Sequence, residues 1–175
     1  NKDGFIYVSS ANLYFAEERS NYNLTWEATH KKIIPEGYEM PTPMETWKLV
    51  DYLRNNLSVP KLKKVYDDIL KTTAQNTWHG EWQNAIYSNE DSKIWARHVK
   101  GLKKNGKIDL SDRVEIKDYL NSDGWADITS VNNISDEGLC KIASSKDNYS
   151  QGENIYFYHP RNGTVAWFGA LSDRV

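Results

Sequence analysis

A single cysteine, Cys140, is all that this chain of 175 residues contains. That excludes an internal disulfide and every zinc arrangement built from several thiolates. Long hydrophobic runs are missing too: no stretch approaches the roughly 20 apolar residues that span a bilayer, so membrane insertion is not expected. Neither sign of charge is in excess. The formal net charge of −2 gives no electrostatic grip on nucleic acid, and no nucleic-acid partner is expected. Also absent are a Gly-rich phosphate cradle and the strained turn that exposes a nucleophilic serine.

Catalytic and metal-binding groups are equally thin. His30, His79, His98 and His159 lack the i, i+4 spacing that aims two imidazoles at one metal, and they read as surface or hydrogen-bonded residues. Glu17-Glu18, Asp67-Asp68 and Glu90-Asp91 are neighbours in sequence, whose side chains diverge on a helix or strand. Cys140 reads as a buried, inert thiol rather than a nucleophile. No EF-hand-like spacing of acids occurs, so no ligand-site calcium is expected, while a structural ion on loop carbonyls stays open. No constellation here asks to be called an active site, so no catalytic residue, no metal ligand and no cofactor is expected.

What the chain does have is aromatic surface: seven Trp and eleven Tyr, enough to supply much of a core without covalent staples. The length suits one domain, residues 1–175. Because the chain opens on Asn1, it reads as a processed or trimmed piece, with any leader already out of view. Five Asn-X-Ser/Thr sequons, at Asn23, Asn56, Asn133, Asn148 and Asn162, are the number an Asn-rich chain produces by chance and point only weakly to glycosylation.

The segments have distinct patterns. FIYVSSANLYF, residues 5–15, suits a strand or strand pair. Thr25 caps a helix expected to reach about Ile34, before Pro35 and Gly37 stop it. Thr42-Pro43-Met44-Glu45 is a capping box with Pro at the first helical position. Trp47, Val50, Leu53 and Leu57 recur behind it at helical spacing. After Ser58, a third helix has Leu62, Val65, Tyr66, Ile69 and Leu70 on one stripe, with Asp67-Asp68 on its wet face. From Thr77 onward, short aromatic segments alternate with polar turns. Asn105-Gly106 marks one turn, short helices are expected over 111–120 and from Ser135 to Ile142, and 144–152 is a polar loop.

The last segment, NIYFYHPRNGTVAWFGALSDRV, places Asn162-Gly163 between two alternating arms, the pattern of a C-terminal β-hairpin. Ile155 and Phe157 should face one way, with Tyr156 and Tyr158 facing the other. Ala166, Phe168 and Ala170 should lie opposite Val165, Trp167, Gly169 and Leu171. Such aromatics are either core or a binding surface. The whole reads as α+β, helices early and the hairpin last.

Four of these segments in this order resemble an archaeal family: ANLYFAEERSNYNLTWEATHKK, GYEMPTPMETWKLVDYLRN, WHGEWQNA and YFYHPRNGTVAWFGALSDR. The chain is similar to the variable, or target, proteins of diversity-generating retroelements of archaea and their viruses. The resemblance implies a C-type lectin fold of the formylglycine-generating-enzyme-like subclass. It implies a non-enzymatic display protein whose C-terminal segment, about 154–175, is hypermutated at adenines to recognise varied macromolecular ligands, protein or glycan. The family's fixed positions match Val165, Ala166, Phe168, Ala170 and Ser172. The variable, ligand-binding slots then fall on Trp167, Gly169, Asp173 and Arg174, with Tyr158 and His159 from the preceding arm. It also implies display on a virion or cell surface. Family members continue past this point into a second variable stretch, so a chain ending at Val175 is expected to be truncated or to have a smaller binding face. A structural or assembly protein of a virus particle, and an oxidase on the same scaffold, are the alternatives. The lone Cys140 counts against the second, because formylglycine-generating chemistry uses a pair of cysteines.

Overall fold

The computed structural model describes residues 2–70 and 80–169. Over these residues the protein is mixed α+β, with three α-helices and several small antiparallel sheets, one of which precedes the helices. The early segments form as their local chemistry requires. Strands β1 (Phe5–Val8) and β2 (Leu13–Ala16) pair antiparallel, with Ile6 opposite Phe15. Helix α1 (Trp26–Ile33) starts at Thr25, whose hydroxyl accepts from the Ala28 N–H.

Helix α2 (Pro43–Arg54) carries both halves of its capping box. The Thr42 N–H donates to Glu45 Oε2 at 2.7 Å, and the Glu45 N–H donates to Thr42 Oγ1 at 3.3 Å. Its Trp47, Val50 and Leu53 are buried. Leu57 is exposed instead, because α2 ends at Arg54 and the stripe ends with it. Helix α3 (Pro60–Ile69) buries Val65, Tyr66 and Ile69, with Leu70 following. Asp68 on its outer side is not merely solvated. Arg19 binds it at 2.8 Å and also reaches Glu81 at 2.8 Å.

The main sheet is four-stranded, ordered β10-β3-β4-β7, from β3 (Gly80–Glu90), β4 (Lys93–Arg97), β7 (Val114–Glu115) and β10 (Val165–Gly169). Two ribbons flank it: β5 (Val99–Leu102) with β6 (Ile108–Leu110), turning at Asn105-Gly106, and β8 (Gly124–Asp127) with β9 (Asn154–Phe157). One buried cluster collects side chains from Ile6 to Phe168 and joins α2, α3, the main sheet and the β8–β9 ribbon.

Three expectations are corrected here. The C-terminal arms do not form a hairpin: β9 pairs with β8, and β10 pairs with β3. The Arg161–Thr164 turn explains why. Its Asn162 Oδ1 accepts from the Asn89 N–H at 2.9 Å, and the Gly163 N–H donates to the Tyr87 carbonyl at 2.8 Å. The turn is thus fastened to β3, and the two arms part. Nor is 111–120 a helix. Its backbone bonds leave the segment, the Ile116 N–H donating to the Ile94 carbonyl and the Leu120 N–H to that of Cys140. The 135–142 stretch is a tight turn rather than a helix, closed by the Ser135 N–H to the Leu139 carbonyl and by a bridge between Ile134 and Cys140. Gly138 has φ +81° there, and a Cβ on it would fall 2.2 Å from the Met44 backbone nitrogen. Only glycine lets this turn rest on the start of α2.

Candidate functional site

Where β9 and β10 separate, a groove of about 420 Å³ opens between them, bounded also by the start of α2 and the turn at Gly138. That volume is within the roughly 300–1,000 Å³ range of small-ligand pockets. Its inner wall is apolar, formed by the buried Trp47, Tyr87, Leu139, Cys140 and Phe157. The thiol of Cys140 is pushed up to about 12 by burial, which leaves it protonated and without nucleophilic character.

Along the mouth runs a row of edge-to-face aromatics. Trp125 meets Tyr156 at 5.2 Å, Tyr156 meets Tyr158 at 5.0 Å, and Tyr158 meets Trp167 at 5.6 Å across the gap between the arms. The period of two explains the placement. Ile155 and Phe157 are buried while Tyr156 and Tyr158 are half-buried and line the groove. On β10, Ala166 and Phe168 are buried and Trp167 is half-buried. Phe168 packs edge-on against Trp47 of α2, with centroids 5.5 Å apart. The register of β10 on β3 shifts between Val165, opposite Ile86, and Trp167, opposite Trp82. The extra residues on β3 therefore fall opposite Ala166.

The strap between the arms is held by one carboxylate. Asp123 accepts from the His159 N–H at 3.0 Å, pairs with His159 Nδ1 at 2.8 Å and receives the Arg161 guanidinium at 2.8 Å. Burial alone would raise its carboxyl, but the Arg161 guanidinium and the two His159 contacts outweigh that and hold it down at about 2.

The expected slots fare differently. Tyr158 and Trp167 meet at the groove. His159 lines it as well, but its ring is occupied by Asp123. Gly169 is buried rather than outward-facing: a Cβ there would lie 2.2 Å from the far end of the Trp167 indole, which folds over it. Asp173 and Arg174 lie outside the described residues. Sequence reasoning missed Gln83, Asp123 and Arg161. Gln83 carries no local signal, and Asp123 and Arg161 become partners only through the fold.

Of the histidines, His30 departs from the surface or hydrogen-bonded reading. It is 1% exposed and edge-on to Trp26 at 4.4 Å, and its Nε2 has no partner among the described residues. Burial lowers its pKa to about 4, so it is neutral near pH 7. It lines a separate cavity of about 140 Å³ with Tyr38, Glu39, Asn84 and Lys100, which has room for a bridging water. Among the described residues no cluster of three or more His, Cys, Asp or Glu is placed to hold a metal ion, and no helix is long and apolar enough to cross a membrane.

The chain thus falls in the mixed α+β class, with an aromatic-lined groove at its C-terminal arm. Compared with known proteins, it matches no protein-family model, no curated protein and no solved structure.

Proposed function

We propose that this protein is a non-enzymatic recognition module. In this reading it is a C-type lectin-like scaffold of the formylglycine-generating-enzyme-like subclass, and a retroelement diversifies its C-terminal arm against macromolecular ligands. The order of the four quoted segments supports the reading, as does the succession of early helices and late antiparallel strands. One observation carries it. Over residues 165–168 of β10 exposure alternates: Ala166 and Phe168 are 4% exposed, while Val165 and Trp167 are half-buried, Trp167 beside Tyr158 at the groove. Side chains at the mouth can then change while the inner face stays fixed, and binding is set by aromatic anchors on a rigid body.

The direct test is tolerance. Trp167→Ala should cost at most about 1 kcal/mol of stability, and a library randomised at Tyr158, His159 and Trp167 should mostly stay folded in thermal melts. If most members unfold, or Trp167→Ala costs as much as a core truncation, these positions are framework and the reading fails. In the source DNA, a near-repeat of the C-terminal coding segment differing at adenines, beside a reverse transcriptase gene, is the expected companion.

A second reading, an assembly protein of a virus particle, draws on the outer face of β1–β2. There Tyr7 and Tyr14 are exposed, with their rings 5.0 Å apart. Sedimentation separates the two: an assembly protein oligomerises without added ligand.

A further inference from the structure

Helix α1 packs on a core of its own. Its Trp26 and Ile33, with Met40 and Val99, form a buried cluster separate from the one that joins α2, α3 and the main sheet. Trp82, Ile86 and Val165 lean on that cluster from the sheet. Two indoles tie the helix down: the Trp26 N–H donates to the Gln83 carbonyl at 2.8 Å, and the Trp82 N–H donates to the Leu24 carbonyl at 3.0 Å. One turn on from Trp26 sits His30, 1% exposed, with its Nε2 sealed from solvent and unpaired among the described residues. An imidazole held this way is tolerable while neutral, because a buried charge without a partner costs far more than a buried neutral group.

The surroundings offer no compensation. Tyr38, Glu39 and Lys100 share the cavity wall with His30, and Lys100 already lies 3.8 Å from Asp109 on β6. Glu27, on the same helix, binds Lys31 at 2.6 Å on the surface. From β4, Arg97 stands opposite Ile86 and so shares its sheet face, which adds positive charge to this side. None of these offsets burial, which alone lowers the imidazole to about 4.

We propose that α1, together with the turn at Ile34–Glu36, is an acid-released flap: protonating His30 displaces this segment from the sheet while the main core stays folded. The linkage has one sign. The neutral imidazole fits the closed position and the charged one fits water, so protons bind the open form more tightly. Closure is complete above the ordinary histidine value of 6.5 and weakens as pH falls towards 4. Between pH 7 and pH 5 the opening equilibrium should rise about twentyfold, close to tenfold for each unit below 6.5. Opening stays local because the cluster it breaks is separate from the main core.

The test is amide hydrogen exchange of the full chain at pH 7, 6 and 5, corrected for intrinsic rates. Protection of the α1 amides should fall about twentyfold from pH 7 to pH 5. At each pH they should exchange at least about tenfold faster than those of α2, and with a weaker urea dependence, since a local opening exposes little surface. NMR titration should place proton uptake by the His30 ring of the closed form below pH 5. His30→Phe keeps a ring against Trp26 and cannot ionise, so its α1 protection should be flat across the window. His30→Gln gives the same readout if the larger ring does not fit.

The flap is overturned if α1 protection is constant between pH 7 and pH 5, or if the His30 ring titrates near 6.5 in the folded chain. Exchange of α1 and α2 at one rate with one urea dependence also overturns it, because the whole domain then opens together. So does a pH dependence that survives in both variants, which assigns the proton to another group.

Discussion

Two turns in this protein do opposite things with similar means. At Glu90–Lys93 the chain reverses through Asp91 and Ser92, with φ +55° and +59°, and the strands on either side, β3 and β4, pair directly. This is the geometry of a two-residue primed turn, built here without glycine. At Arg161–Thr164 the chain carries Asn-Gly, the dipeptide that most strongly signals such a turn, yet only Gly163 has positive φ, and the arms join different sheets. The first turn is held by its own ladder. The second is held by a third strand, through Asn89 and Tyr87, and by Asp123 from β8's approach. A turn sequence sets which conformations are cheap, and the surrounding hydrogen bonds decide which strands meet.

If the second arm is held from outside, its anchors should matter more than its turn. Phe168→Ala should cost about 3–5 kcal/mol, read by urea unfolding, because it removes the ring that packs on Trp47. A loss below 1 kcal/mol would mean that β10 is secured elsewhere. Asn162→Ala should cost about 1 kcal/mol by freeing the Asn89 N–H. If instead the dipeptide acted locally, the loss would fall within error.

The strap titrates. The Asp123 carboxyl is lowered from its ordinary value near 4 to about 2, so its contribution is complete above pH 4 and disappears as pH falls towards 2. With both side chains partly in water, that contribution is at most about 1 kcal/mol. The stability difference between the parent and Asp123→Asn should therefore shrink between pH 4 and 2; a difference constant across that window removes the ion pair from the account. Smallest of all, Ser92→Gly should be neutral or stabilise by up to about 1 kcal/mol, since glycine adopts positive φ freely. A clear loss would show that the Ser92 side chain holds the first turn.

The same contrast sets what could be read from the sequence. Thr25, the Thr42–Glu45 capping box and the stripe of α3 were legible because a helix start and an amphipathic face are local properties. Residues 5–15 read as either one strand or a strand pair, and the structure makes them the β1–β2 pair. The alternation of Ile155, Tyr156, Phe157 and Tyr158 and of residues 165–168 was also legible, being a property of any strand; Gly169 departs from it because the Trp167 indole covers it. What failed was every feature decided at a distance. The segment 111–120 has a helical pattern but finds partners in β4, and 135–142 is shaped by the approach of Gly138 to Met44. The groove itself was invisible, because it exists only where two arms expected to join come apart. Gln83 had no neighbour in sequence that marked it, and the Asp123 strap closes across 38 residues.

The indole of Trp167 lying across Gly169 has an evolutionary consequence. Changes at the two positions cannot be scored independently: bulk at 169 forces the ring at 167 to a new rotamer, so each residue sets the background against which the other is selected. Diversity drawn at this strand would be inherited as pairs, with epistasis between alternate residues narrowing the number of viable combinations below the product of the single-site choices.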